Sequence, residues 1–169
     1  MVSEKMIKAL NDQLQREFQS SYIYMGMEAY FADKNLKGFE NFFHIQTMEE
    51  RDHAYKFFNY INRVGGKVEL QALEAVSSDY ANEIEAFEKT LAHEQFITKS
   101  IHDLLDLALD ERDHTTTAFL QWFITEQAEE EETADGILRK LKMINSNPSG
   151  LFMVDSELAQ RVYNPPVAE

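Results

Sequence analysis

Four stretches of the chain each carry an apolar stripe at alternating three- and four-residue spacing, and carboxylate or other metal-ligand side chains interrupt every stripe near its middle. Apolar residues at that spacing share one face of an α-helix, and four such faces can bury one another in a bundle. The first stripe reads Leu10, Leu14, Glu17, Ser21, Tyr24, and the second Phe39, Phe43, Gln46, Glu50, His53, Phe57, Tyr60, Val64. The third reads Phe87, Leu91, Glu94, Thr98, Ile101, Leu105, and the fourth Thr116, Leu120, Phe123, Gln127, Glu130, Ala134, Ile137, Leu141. An ionised Glu facing a bundle core costs several kcal/mol unless something compensates it. Four helices with the same defect imply one shared compensator. Two divalent cations would meet Glu17, Glu50, Glu94 and Glu130, with neutral His53 as a nitrogen ligand, at a formal charge of about zero.

The rest of the composition narrows the class. At 169 residues the chain fits one domain, 1–169, with a sizeable core. The formal net charge of −14 argues against nucleic acid, whose phosphates call for clustered Lys and Arg, and suits a protein that attracts cations. No apolar run is long enough to span a bilayer, and residues 1–8 lack the apolar region of a signal peptide, so the expectation is a soluble, cytoplasmic protein with no membrane partner. Cysteine is absent, which leaves oxygen and imidazole as the only ligands for a metal.

Ser3 is a plausible N-cap for a first helix over about 4–32, and residues 33–38 form a short turn into the second. Gly65 and Gly66 end that helix in the manner of a left-handed C-terminal stop. Residues 67–82 lack steady helical period, yet at about 3.3 Å per residue they reach roughly 50 Å, enough to return along a whole helix. The second and third helices are therefore expected to be parallel. The third runs over about 83–110, a tight turn covers 112–114, and the fourth continues to about 144. The expectation is an all-α four-helix bundle (about 4–144) with one long crossover between helices 2 and 3. Pro148 and Gly150 read as breakers ahead of a short apolar run, a short fifth helix is expected over about 155–161, and the tail 162–169, with Pro165 and Pro166, reads as disordered.

With those limits Glu17, Glu50, Glu94 and Gln127 all fall within about one turn, roughly 5 Å, of their helix midpoints. Midpoints meet at one level whatever the direction of each helix, so these residues converge on one layer. Glu50 and His53, at i and i+3, share a face and can reach one metal together. A second Glu-x-x-His, Glu111 to His114, falls in a turn and reads as solvated surface. Gln127 and Glu130 repeat the spacing without a histidine, which makes the site asymmetric. One metal should be held firmly by Glu17, Glu50 and His53, and the other more loosely by Glu50, Glu94 and Glu130 with Gln127 beside it. Glu131 and Glu132 read as a solvated acidic face. For Glu49, Glu126 and Glu129, one position off the inward ligands, both a solvated face and an adjoining cation site stand open. Tyr24, on the Glu17 stripe, could hydrogen-bond a ligand or donate an electron, or be a core tyrosine. Trp122 reads as packing, and His44, His93 and His102 as structural or exposed.

The chain resembles the non-haem ferritins of bacteria and archaea. The segments that carry the likeness are Leu10-Asn-Asp-Gln-Leu-Gln-Arg-Glu17, Glu49-Glu-Arg-Asp-His53, His93-Glu-Gln-Phe-Ile97, Phe119-Leu-Gln-Trp-Phe-Ile-Thr-Glu-Gln127 and the acidic run 129–132. The resemblance implies a ferroxidase centre, with Glu17, Glu50 and His53 at one iron and Glu50, Glu94, Glu130 and neighbouring Gln127 at the second. It further implies Glu49, Glu126 and Glu129 at a third iron position, Tyr24 and Trp122 as nearby redox residues, and a hollow shell of 24 subunits.

The related haem-containing bacterioferritins have His where Glu130 stands, and a haem-ligating Met where this chain has Arg51, so no haem is expected. Rubrerythrins usually add a cysteine-rich iron domain, which a chain without cysteine cannot form. The implied reaction is oxidation of paired Fe²⁺ by O₂ or H₂O₂, with the ferric product stored as mineral inside the shell. The alternative, a di-iron oxidase or peroxidase of the rubrerythrin or oxygenase type without storage, would need room for an organic substrate among Phe43, Phe57 and Phe123.

Overall fold

Three of the first four helices begin at a local side-chain cap, and the one at Ser3 is as the sequence predicts. Ser3 Oγ accepts from the Met6 amide at 3.0 Å, Asn82 Oδ1 from Glu85 at 2.9 Å and Asp113 Oδ1 from Thr116 at 3.0 Å. The computed structural model describes residues 2–145 and 147–165. Over these, α1 spans Glu4–Asp33, α2 Lys37–Arg63, α3 Glu83–Asp110, α4 His114–Ile144 and α5 Pro148–Leu158, with no strand among the described residues. Left-handed residues reverse the chain between them: Asn35 and Arg112 at φ 55°, Asn145 at φ 47° and Gly65 at φ 80°.

Cross-helix contacts set the directions. Residues 21 and 28 of α1 meet 47 and 44 of α2, and residues 13, 20 and 24 of α1 meet 100, 93 and 94 of α3. Both partners thus run antiparallel to α1, so α2 and α3 are parallel, as the long connection requires.

That connection, 67–82, has no helix or strand of its own to satisfy its backbone. Side chains along one edge of α1 do so instead. Asn11 donates to the Lys67 carbonyl and accepts from the Glu69 amide, Gln15 donates to the Ala72 carbonyl, and Gln19 pairs with both the amide and carbonyl of Glu74. Residues four apart on a helix rise about 6 Å, close to the span of two extended residues, so the ladder keeps step with the strand it holds.

The apolar interior divides in two. Met6, Leu10, Leu14, Phe57, Ile101 and Leu120 belong to one cluster, and Tyr24, Phe31, Phe39, Phe43, Phe87 and Leu141 to the other. Along each helix the interrupting polar residues fall between the two sets.

One expectation needs correction. The fifth helix starts at Pro148, not near 155, and ends at Leu158. Proline at the first helical position has no amide to lose, and Asn147 Oδ1 caps the turn from Ser149 and Gly150 at 3.0 and 3.2 Å, so the residues read as breakers initiate the helix. Met27, Tyr30 and Phe42, which lie outside the four core stripes, are buried as well, because the aromatic cluster is wider than one stripe. Tyr22 is exposed and Phe58 half-buried. The expected tail lies beyond the described residues from Pro166 onward.

Candidate metal centre

Glu17 from α1, Glu50 and His53 from α2, Glu94 from α3, and Gln127 and Glu130 from α4 meet in the polar layer, and none exceeds 7% exposure. Glu17, Glu50 and His53 each bring a ligand atom within 4.8 Å of the other two. Glu17 Oε2 and His53 Nδ1 are buried and have no hydrogen-bond partner. Such orphaned atoms are costly in a folded interior, and a cation between them would satisfy both. Carboxylate oxygen with one imidazole is a donor set that suits iron.

The other half of the layer is hydrogen-bonded. The Tyr24 hydroxyl donates to Glu94 Oε1, and Gln127 Nε2 donates to Glu94 Oε2 at 3.0 Å. Gln46 Nε2 donates to Glu130 Oε2 at 2.9 Å. On the Glu17 side, fully buried Gln13 donates to Glu17 Oε1 at 2.7 Å, while its own oxygen accepts from Ser100 at 2.8 Å and Arg16 at 3.2 Å. Those two donors fix the Gln13 amide so that its NH₂ faces the carboxylate.

Burial raises Glu17, Glu50 and Glu130 above the ordinary carboxylate range, against the pull of His53 on each. Burial and then the Glu130 charge lift Glu94 to about 8. Burial disfavours a charged His53, but Glu50, Glu126 and Glu17 outweigh it and raise the imidazole well above its usual value. Without a cation, protons thus gather in the layer. Tyr24 is raised well above 10, by burial first and then by Glu94 and Glu50, so its phenol stays protonated and donating.

Among the adjoining acids, Glu126 Oε1 lies 3.7 Å from His53 Nε2. Glu49 Oε2 lies 2.7 Å from an Arg161 guanidinium nitrogen. Burial, reinforced by Glu130 and Glu126 and opposed by Arg161 and His53, raises Glu49 to about 6. Glu129 and Glu132 are exposed, while Glu131 accepts from Thr98 Oγ1 at 2.5 Å.

The Trp122 ring stands 5.2 Å from that of His53, edge to face, with Lys56 Nζ 4.2 Å above it. His44 and His102 are exposed, and half-buried His93 is bonded to Ser20 Oγ at 2.7 Å. Exposed His114, with exposed Glu111, leaves the second Glu-x-x-His on the surface.

A family model described as a ferritin-like domain matches residues 7–144. The chain belongs to the ferritin family. It is 35% identical over 164 residues to a bacterial non-heme ferritin of Staphylococcus aureus, covering 97% of this chain and 99% of that one. Among solved structures, a humanized archaeal ferritin superposes with a TM-score of 0.96 at 40% identity, covering 98% of this chain and all of the other. The open pore ferritin of Archaeoglobus fulgidus gives 0.95 at 41% identity, covering 96% and 99%.

Within this ferritin, sequence reasoning passed over Gln13 and Arg161 and gave Gln46 no role. Gln13 stands one residue short of the Leu14 stripe position and could have been noticed by its i, i+4 relation to Glu17. Arg161 carries no local signal.

Proposed function

We propose that this protein stores iron, and that its buried polar layer is a ferroxidase centre taking two Fe²⁺ per subunit as substrate. The observation that carries the reading is the convergence of Glu17, Glu50 and His53 with two of their buried polar atoms unpartnered. Glu17, Glu50 and His53 hold the first ion. Glu50, Glu94 and Glu130 hold the second, with Gln127 beside it and Tyr24 oriented on Glu94. Each Fe²⁺ gives up one electron, and O₂ takes two electrons and two protons to become H₂O₂, or H₂O₂ takes the same to become two waters. Anionic oxygen ligands favour the product because the harder, more highly charged Fe³⁺ gains more from them.

The second half gives up its carboxylates only after Tyr24, Gln127 and Gln46 reorient, which makes that ion the looser one. A loosely held ion suits a centre whose product leaves as mineral. Glu49 and Glu126, near His53 and Glu130, together with exposed Glu129, serve a third, transit position. An organic-substrate oxygenase is disfavoured, since buried Phe43, Phe57 and Phe123 fill the core on either side of the layer.

The storage reading entails a closed homo-oligomer, in our reading 24 cytoplasmic subunits. Exposed Tyr22, Met25, Tyr55, Phe96 and Phe152 provide apolar surface for it. Anaerobic Fe²⁺ titration followed by O₂ should show rapid oxidation saturating at two irons per subunit, in a particle that sediments as a large assembly. Slow oxidation without saturation, or a stable monomer at micromolar concentration, would refute the respective half of the proposal.

A further inference from the structure

Beyond α5 the chain folds back over α2. Asn41 Nδ2 donates to the carbonyls of Leu158 and Arg161, at 3.2 and 3.0 Å, and the Tyr163 hydroxyl donates to Asp52. These two anchors bracket the stretch of α2 that carries Gln46 and Glu49. Between them the Arg161 guanidinium reaches inward. One of its nitrogens donates to Gln46 Oε1 at 2.5 Å, the other to Glu49 Oε2 at 2.7 Å, and its carbon lies 4.7 Å from the centre of the Phe42 ring. Gln46 in turn donates its amide to Glu130. Arg161 therefore touches one acid of the transit position directly and stands one side chain away from a ligand of the second iron. Among the described residues it is the Lys or Arg side chain that pairs with Glu49, and none pairs with Glu126 or Glu130.

We propose that Arg161 is a built-in cation at the outer edge of the centre, holding Glu49 in place of a third metal ion and orienting Glu130 through Gln46, so that the 159–163 strap controls how many cations each subunit binds. The inference rests on the ferroxidase reading. A guanidinium spans the Gln46 oxygen and the Glu49 carboxylate with separate N–H groups, which a lysine ammonium cannot do with the same geometry. Its side chain is still 26% exposed and its backbone is hydrogen-bonded to Asn41 and Leu158, so a metal ion arriving at Glu49 can displace the guanidinium outward. Metal at the outer position and a docked strap are then mutually exclusive. Gln46 is released when the strap lifts, and Glu130 becomes free to turn toward the transit ion.

The test uses the assembled, metal-free protein titrated with Zn²⁺, a redox-inert probe, by calorimetry and equilibrium dialysis. Arg161→Gln should bind its outermost cation more tightly than wild type by on the order of tenfold, within the ordinary range of coupling between sites. Arg161→Lys, which keeps a positive charge beside Glu49 but lacks the second N–H group for Gln46, should fall between wild type and Arg161→Gln. Arg161→Gln combined with Glu49→Gln should lose the gain. A correctly assembled Arg161→Gln variant with the wild-type isotherm would overturn the proposal, as would a gain that survives loss of Glu49. Absence of two tight sites from every protein would instead sink the ferroxidase reading, a separate outcome.

A second measurement needs no variant. The amides of Ala159, Gln160 and Arg161 are hydrogen-bonded to Asp155, Glu157 and Leu158. Their hydrogen exchange should speed up as Zn²⁺ passes two equivalents per subunit, and unchanged protection through the whole titration would overturn the proposal.

Discussion

Asp155 of α5 accepts the backbone amides of Gly38 and Phe39, at 2.8 and 3.1 Å, and so caps a helix that begins more than a hundred residues earlier. The local N-cap position of α2 is Leu36, which has no side chain able to do this. The helix that starts at Pro148 thus supplies what the turn before α2 lacks, and the carboxylate also meets the positive end of the α2 dipole. Gly38 allows the approach, since a Cβ there would fall 1.6 Å from the Asp155 carbonyl oxygen.

Asp155→Ala should therefore destabilise the metal-free protein by about 1–2 kcal/mol, the cost of a lost N-cap. Gly38→Ala should cost more, at or above the upper end of the about 1–3 kcal/mol typical of overpacking, because backbone and not a flexible side chain stands in the way. Chemical denaturation of both variants checks the order. Equal stability of Gly38→Ala and wild type would mean that α5 does not dock where described.

Glu50→Ala should slow the fast phase of iron oxidation more than any other single change. Glu50 lies within the compact group with Glu17 and His53 and also feels the charge of Glu94, and it is the one residue proposed to ligate both ions. A residue that merely supports a ligand is worth about 10–100-fold, and losing a ligand to both ions should reach the upper end of that range or pass it. Gln13→Leu, which removes only the support of Glu17, should fall inside it. Stopped-flow oxidation at two Fe²⁺ per subunit gives both numbers, and a wild-type rate for Glu50→Ala would remove the centre from this layer.

Glu94→Gln should leave the metal-free protein at least as stable as wild type near pH 7–8 while weakening the second iron. Folding raises Glu94 from 4.5 to about 8, so between those values the folded state holds a proton that the unfolded chain has released. Stability is then full below about pH 4.5 and declines as pH rises toward 8, where the carboxylate must ionise in place. Glutamine stays neutral throughout. The advantage of the variant should accordingly shrink as the pH is lowered toward 4.5. Thermal melts in chelator across that range decide it, and a variant melting well below wild type at pH 7–8 would make Glu94 a structural hydrogen-bonding residue.

The three adjoining acids should not behave alike. Glu49→Gln and Glu126→Gln, in the half-buried positions near Glu130 and His53, should leave the first rapid oxidation nearly intact and change the iron-to-O₂ ratio or the recovery of the centre on repeated additions. Glu129→Gln, at an exposed position, should change these little. An equal effect of all three would restore the simple three-acid site.

The interrupted stripes made the bundle and its buried polar layer legible in advance. Glu17, Glu50, His53, Glu94, Gln127 and Glu130 all sit at core-facing positions of their own helices, and side-chain direction along a helix is a local property that spacing reveals. The parallel pairing of α2 and α3 followed from a connection too long for a turn. Proline at 148 misled the reading of α5 because the same residue stops a helix from within and starts one at its first position.

What the sequence could determine by itself was therefore everything set by periodicity: four helices, their lengths, the shared layer and its residues. Only the tertiary structure decided which groups complete that layer. The Gln13 amide faces Glu17 because Ser100 from α3 takes its oxygen, Gln46 bridges Arg161 to Glu130, and Asp155 caps α2. Each of these depends on a partner 80 or more residues away in the chain. A hydrogen bond needs donor and acceptor within about 3 Å of each other, and the spacing of residues along one helix contains no information about which side chain another element will bring within that distance.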